Sequence, residues 1–73
     1  MYEIYSKDDC IYCTQAKELL SRRNIPFTEF KIDRELTREE FMEQFPGWTK
    51  MPMIMHDSVR IGGFTELKEY LKG

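Results

Sequence analysis

Residues 2–23, YEIYSKDDCIYCTQAKELLSRR, contain both cysteines of the chain and join two kinds of hydrophobic periodicity. Residues 2–6 form a short alternating run with aromatic and β-branched side chains, which predicts a strand. From Cys10 onward, apolar residues recur three and four positions apart, so an amphipathic helix is expected to follow. Basic residues in its last turn and a proline shortly beyond predict that this helix ends near Arg23. The Cys10-x-x-Cys13 pair is therefore predicted at a junction between a strand and a helix.

The segment after this helix predicts a second strand and a second helix. Residues 26–33 alternate imperfectly between apolar and polar side chains, which is typical of a strand. Thr37 and Glu40 have the spacing of a capping box, which marks a helix start. This helix should bury Phe41 and Phe45 and stop before the Pro-Gly pair that follows.

The last third of the chain predicts a hairpin and a third helix. The short apolar runs at 53–55 and 59–61 are joined by His56 and Asp57 with a serine, and we assign these two residues to the hairpin turn. A helix follows the glycine pair, with one apolar face formed by Phe64, Leu67, Tyr70 and Leu71.

The predicted element order is βαβαββα, which indicates an α/β fold. A strand, helix, strand opening implies a right-handed crossover and a parallel pair of strands. A hairpin can add only antiparallel strands, so the sheet should be mixed, with helices covering it.

Composition limits the classes of function. A chain of 73 residues, 41% hydrophobic and 33% charged, suits one small domain over residues 1–73. The net charge of −2 and the scattered lysines and arginines do not favour a nucleic-acid partner. No basic segment leads into an apolar stretch at the N-terminus, and no apolar run approaches membrane-spanning length. We therefore expect a soluble, cytoplasmic protein without a membrane partner.

The cysteine pair allows three interpretations. A structural disulfide between residues three apart closes too small a loop to constrain the unfolded chain, and a reducing cytosol opposes it. A zinc site needs about four ligands, whereas the chain adds only His56 to its two cysteines, so no metal is expected. A redox centre is favoured, because Cys-x-x-Cys beside a strand and helix is typical of one.

Position assigns different roles to the two cysteines. Unpaired backbone N–H groups and the positive end of the helix dipole favour a thiolate at Cys10, which makes it the nucleophile. Cys13, one turn further, is the resolving thiol. Asp8 and Asp9 oppose the Cys10 thiolate while Lys7 favours it, and the sequence leaves that balance open.

Four spaced motifs, EIYSKDDCIYC, KMPMI, IGG and FTEL, together resemble the glutaredoxin family over nearly the whole chain. The resemblance implies a thioredoxin-like fold, a four-stranded mixed sheet of order 2-1-3-4 with three helices. It implies a monomeric thiol–disulfide oxidoreductase that reduces protein disulfides and glutathione mixed disulfides. Glutathione would be its co-substrate, returning the oxidised enzyme to the dithiol.

The resemblance also implies a glutathione site. Lys7 occupies the place of a lysine that contacts the glycine carboxylate of glutathione, and Tyr12 would flank the bound molecule. The bond before Pro52 would be cis, which leaves the backbone of Met51 free to pair with the cysteinyl part of glutathione.

The γ-glutamyl end would bind at the third helix. Phe64 and Thr65 would present backbone N–H groups to the γ-glutamyl carboxylate. Glu66 would either meet the γ-glutamyl ammonium or act only as a first-turn acid, and we weigh these two roles equally. Ile11 and Lys50 depart from the family's usual proline and threonine, which leaves the redox poise open.

Two alternatives remain. A glutaredoxin-like redoxin, reduced by thioredoxin reductase and serving ribonucleotide reductase, would share the fold and the cysteines. An iron–sulfur carrier would hold a cluster between Cys10 of two subunits and two glutathiones, and the absence of the motif proline at Ile11 keeps this possibility open.

Overall fold

The computed structural model describes residues 1–72 and has the predicted order of elements. The strands and helices are β1 (Tyr2–Ser6), α1 (Ile11–Arg22), β2 (Phe27–Lys31), α2 (Arg38–Gln44), β3 (Met53–His56), β4 (Val59–Gly62) and α3 (Phe64–Lys72). The strands form one sheet of order β2-β1-β3-β4, as expected. β1 is parallel to β2 and antiparallel to β3, and β3 is antiparallel to β4, so the sheet is mixed. Residue 73 of the predicted domain lies outside the described residues.

Local capping explains where the first two helices begin. Cys10 is the N-cap of α1, and its sulfur accepts a hydrogen bond from the backbone N–H of Cys13. Thr37 is the N-cap of α2, and its Oγ1 accepts from Glu40 N at 3.0 Å. Glu40 Oε1 accepts from Thr37 N at 2.7 Å, which completes the predicted capping box.

Each face of the sheet carries its own hydrophobic cluster. The cluster under α1 and α3 is formed by Ile4, Ala16, Leu20, Ile54 and Leu67. The cluster under α2 is formed by Tyr5, Ile32, Phe41, Phe45 and Met53, so Phe41 of α2 and its C-cap residue Phe45 are buried as predicted. No helix within residues 1–72 is long and apolar enough to span a membrane.

The far end of the hairpin differs from the prediction. His56 is the last residue of β3, not a turn residue, and the turn consists of Asp57 and Ser58, whose φ angles are 49° and 72°. The ring of His56 stacks on Tyr2 with the centroids 4.0 Å apart, and its Nδ1 lies 2.8 Å from the hydroxyl of Tyr70. His56 pairs with Tyr2 in the sheet, and Tyr70, although assigned to the apolar face of α3, is 44% exposed.

Candidate active site

The two cysteines lie at the start of α1 and differ in exposure. A disulfide joins them, with their Cα atoms 5.2 Å apart. Cys13 is only 2% exposed, whereas Cys10 is partly exposed and is followed by Ile11 and Tyr12, which are 69% and 58% exposed. An attacking thiol from solvent therefore reaches the Cys10 sulfur more readily than the Cys13 sulfur.

The backbone around Cys10 favours a negative charge on its sulfur. The N–H of Cys13 donates to Cys10 Sγ at 3.2 Å, in the first turn of α1. Hydrogen bonds from backbone N–H groups and the helix dipole both stabilise a thiolate relative to a thiol. The reduced protein can therefore hold Cys10 as the nucleophilic thiolate.

The acidic pair before Cys10 is partly neutralised by residues distant in sequence. Asp8 Oδ1 lies 3.3 Å from Lys31 Nζ and 3.9 Å from Arg34 Nη2. Asp9 has a φ of 55°, in the left-handed region, where it turns the chain toward the helix. The charge of Asp8 is therefore shared with two cations, which weakens its opposition to a thiolate on Cys10.

Two clefts adjoin the disulfide. The first cleft, about 640 Å³ in volume, is lined by six of the seven predicted glutathione contacts, Tyr12, Met51, Pro52, Phe64, Thr65 and Glu66. Lys7 does not line it. Lys7 lines a second cleft together with Cys10 and Cys13. Neither cysteine lines the first cleft, but Cys10 Sγ lies 3.7 Å from the carbonyl oxygen of Met51, which does.

The floor of the first cleft is formed where β3 and α3 begin. The Met51–Pro52 peptide bond is cis, as the resemblance implies, and Pro52 is buried. A Cβ on Gly63 would lie 3.6 Å from the carbonyl oxygen of Pro52 and 3.2 Å from Glu66 Oε1. The distance to Pro52 is an ordinary van der Waals contact, so an added Cβ at Gly63 would crowd the Glu66 carboxylate and not the proline.

Glu66 has a structural partner inside the protein. Its Oε1 accepts a hydrogen bond from Gly63 N at 2.8 Å, which closes the start of α3. Its Cγ would lie 2.9 Å from a Cβ built on Gly62, whose φ is +123°. The first-turn role considered for Glu66 is therefore present, and the same carboxylate also lines the first cleft.

The cleft also has aromatic walls, of which the sequence indicated only part. Tyr12 and Phe64 flank it with their ring centroids 6.1 Å apart. Trp48 lines it as well and was not singled out from the sequence. The guanidinium of Arg60 lies 5.9 Å from the Trp48 ring and 5.5 Å from that of Phe45. Trp48 is the only tryptophan of the chain and lies three residues before Met51, and this position was the signal in the sequence that could have indicated it as a cleft residue.

A second feature that the sequence did not reveal is a polar cluster between α1 and the sheet. Glu29 Oε2 accepts hydrogen bonds from Ser6 Oγ at 2.6 Å and from Lys17 Nζ at 2.9 Å. Burial by itself raises the pKa of the Glu29 carboxyl, but these two hydrogen bonds and the charges of Lys17 and Lys31 hold that pKa below its ordinary value. Glu29 is therefore a carboxylate at neutral pH. Ser6, Lys17 and Glu29 come from β1, α1 and β2, so no spacing in the sequence indicates that they meet.

The site contains the groups needed for thiol–disulfide exchange. An accessible sulfur, a covered partner sulfur within bonding distance and a thiolate-stabilising backbone are sufficient for that chemistry. Among residues 1–72, no three His, Cys, Asp or Glu side chains converge as a metal site.

Comparison with known proteins gives consistent matches. The sequence model of the Glutaredoxin family matches residues 2–61. Glutaredoxin 3 of Escherichia coli (strain K12) is 42% identical over 65 residues, which cover 89% of this chain and 78% of the relative. The glutaredoxin-like protein NrdH of Lactococcus lactis is 35% identical over 66 residues, 88% of each chain. The crystal structure of glutaredoxin 1 from Francisella tularensis has a TM-score of 0.85 at 33% identity, covering 97% of this chain and 91% of that one.

Proposed function

The chain belongs to the glutaredoxin family of thiol–disulfide oxidoreductases, and on that premise we propose that it uses glutathione to reduce protein disulfides and glutathione mixed disulfides. One observation carries the proposal. The partly exposed Cys10, backed by the buried Cys13, lines the second cleft and contacts Met51 of the first.

The proposed reaction is a sequence of thiol–disulfide exchanges. The Cys10 thiolate attacks a substrate disulfide, forming a mixed disulfide and releasing one substrate thiolate. With a protein substrate, the Cys13 thiolate then attacks Cys10 Sγ, forming the intramolecular disulfide and releasing the second substrate thiolate. Two glutathione thiols reduce the Cys10–Cys13 disulfide, and they become glutathione disulfide.

The residues that line the two clefts support an extended tripeptide as the ligand. The γ-glutamyl group would lie at the start of α3, near the backbone N–H groups of Phe64 and Thr65. The cysteinyl part would pair with the backbone of Met51, whose carbonyl oxygen is 3.7 Å from Cys10 Sγ. The glycine carboxylate would extend past Cys10 toward Lys7, which explains why Lys7 belongs to a different cleft from the other contacts.

We also propose the assembly and location in which this chemistry operates. Residues 1–73 would act as a single-domain monomer, because both hydrophobic clusters lie on the faces of one sheet. In a cytoplasmic location the Cys10–Cys13 disulfide would be returned to the dithiol after each turnover, since the glutathione pool there is reducing.

The similarity to NrdH of L. lactis favours a second candidate, a redoxin reduced by thioredoxin reductase that donates electrons to ribonucleotide reductase. This candidate uses the same cysteines and needs no glutathione contacts. The two candidates therefore differ in their reductant.

A reductase-coupled assay on the purified chain distinguishes them. Turnover of a mixed disulfide is measured by NADPH consumption, once with glutathione and glutathione reductase and once with thioredoxin reductase. Our proposal expects turnover in the first system. Turnover only in the second would establish the redoxin alternative in its place.

A further inference from the structure

The contact between α1 and the sheet changes character along its length. Near the middle of the sheet it is apolar, with Ala16 and Leu20 of α1 packed against Ile4 of β1. Toward the cysteines it becomes polar, because Ser6 follows Ile4 on the same face of β1 and Lys17 hydrogen-bonds to Glu29 of β2. Polar groups therefore take up the part of the interface nearest the active site.

These polar groups are largely removed from water. Ser6 is fully buried, and the side chains of Lys17 and Glu29 are 30% and 28% exposed. Removing polar and charged groups from water costs free energy, and a well-packed apolar interface is often at least as stable as a buried ion pair. An apolar interface could therefore fill this position equally well, which directs attention to the adjacent cysteines.

Lys17 lies on the same side of α1 as Cys13. The two residues are four positions apart, which places their side chains next to each other on one helix face. Both line the second cleft, whereas Glu29 does not. Lys17 thus lines the same cleft as the cysteine pair, while its ammonium is held by the Glu29 carboxylate, which also accepts from Ser6 Oγ at 2.6 Å.

We propose that the Lys17 ammonium stabilises the Cys13 thiolate, and that Glu29 and Ser6 are positioning residues that aim Lys17 at the second cleft. This inference rests on the proposed function, because it concerns the step in which Cys13 acts. The Cys13 thiolate is the attacking group when the Cys10–Cys13 disulfide forms and the leaving group when that disulfide is reduced. Cys13 is only 2% exposed. Burial disfavours a thiolate, so a nearby cation lowers the barrier in both directions.

The step is balanced without another reactant. When the Cys13 thiolate attacks Cys10 Sγ, the Cys10–substrate disulfide breaks and the Cys10–Cys13 disulfide forms. The substrate sulfur leaves as a thiolate and takes the proton that Cys13 gave up. In the reverse direction a glutathione thiolate attacks Cys10 Sγ, and Cys13 leaves as the thiolate beside Lys17.

Other charges also face the second cleft. The loop before α1 contributes Lys7, Asp8 and Asp9, and β2 contributes Lys31. Asp8 pairs with Lys31 at 3.3 Å, so these two charges largely offset each other. On α1 itself, the charged residue lining the cleft is Lys17.

The test titrates the Cys13 thiol directly. In a Cys10→Ser background the ultraviolet absorbance of the Cys13 thiolate is followed against pH, with Lys17 unchanged or replaced as Lys17→Met or Lys17→Arg. Met keeps the length of the side chain without its charge, and Arg keeps the charge. We expect Lys17→Met to raise the pH midpoint of the Cys13 titration, so that about three- to tenfold less Cys13 thiolate is present at neutral pH. Lys17→Arg is expected to return the midpoint to that of the background with Lys17 unchanged.

The matched control is Lys72→Met in the same background. Lys72 is a solvent-exposed lysine on α3 whose Nζ lies 4.0 Å from Glu69, so this variant removes the same charge away from the cysteines. An unchanged midpoint in Lys17→Met, or an equal shift in Lys72→Met, would overturn the inference. The titration contains no glutathione, so it can succeed even if the reductase-coupled assay refutes the proposed function.

Discussion

At the scale of single residues, Cys10 and Cys13 are the same chemical group in two environments. Cys10 is partly exposed and accepts an N–H hydrogen bond, whereas Cys13 is 2% exposed. Exposure and thiolate stabilisation govern which of two thiols attacks first. Their division of roles therefore follows from one helical turn of displacement along α1.

The two cysteine variants should separate the two reactions. Cys10→Ser is expected to abolish all thiol transfer, because the attacking sulfur is lost. Cys13→Ser is expected to keep deglutathionylation, since a second glutathione can resolve the mixed disulfide on Cys10, and to lose reduction of protein disulfides. Rates on both substrate types check this, and equal losses in both variants would contradict the assigned roles.

The contribution of Lys7 should appear in binding rather than in turnover. Lys7→Ala is expected to raise the KM for glutathione by about tenfold or less and to change kcat little, because it removes an exposed charge pair distant from the reacting sulfur. Steady-state kinetics against glutathione concentration measure both constants. The solvent-exposed Lys72→Met is the control, and an unaltered KM in Lys7→Ala would remove Lys7 from the site.

At the scale of elements, the start of α3 serves the fold and the cleft together. The Glu66 carboxylate closes the helix through Gly63 N, and Gly62 leaves room for the Glu66 side chain. Phe64, Thr65 and Glu66 of the same turn line the first cleft. The start of α3 therefore combines a helix cap with part of the cleft wall.

Two substitutions at Glu66 separate these contributions. Glu66→Ala removes the acceptor for Gly63 N and should cost about 1 kcal/mol, a decrease of about 4–8 °C in the melting temperature. Glu66→Gln keeps an acceptor oxygen and removes only the charge, so thermal unfolding should change little. If the charge meets the γ-glutamyl ammonium, Glu66→Gln raises the KM for glutathione at an unchanged melting temperature. An unchanged KM leaves Glu66 with its helix role alone.

At the scale of the whole molecule, Glu29 links three elements next to the active site. Its carboxylate on β2 binds Ser6 at the end of β1 and Lys17 on α1. The position of the cysteine helix over the sheet is therefore determined by an ionised group as well as by apolar packing. That linkage makes stability depend on pH.

The pH dependence has a definite sign. The pKa of Glu29 is lower in the folded protein than its ordinary value of 4.5, so the carboxylate stabilises the fold above about pH 4.5. That contribution is lost as the pH falls through the folded pKa. The difference in unfolding free energy between the parent and Glu29→Gln should therefore be largest near neutral pH and shrink in acid.

Denaturant unfolding at a series of pH values measures this difference. Glu18→Gln, at an exposed position of α1, is the control and should differ from the parent by a small, nearly constant amount. A difference for Glu29→Gln that does not change with pH would show that its carboxylate adds nothing through ionisation.

The sequence by itself determined the elements, their order and the place of the cysteines. The strand at Tyr2–Ser6, the capping box at Thr37 and the helix start at Cys10 depend on residues close in the chain, so periodicity and capping rules predict them. The parallel β1–β2 pair follows from the handedness of the crossover. Six of the seven glutathione contacts implied by motif resemblance line the first cleft together.

Only the tertiary structure decided which distant side chains meet. The pairing of Asp8 with Lys31, the contact of Arg60 with Trp48 and the hydrogen bonds of Glu29 all join different segments of the chain. The place of His56 in β3 likewise depends on pairing with Tyr2, more than fifty positions away. Such contacts depend on strand register and helix placement, which result from packing of the whole core and leave no local pattern in the sequence.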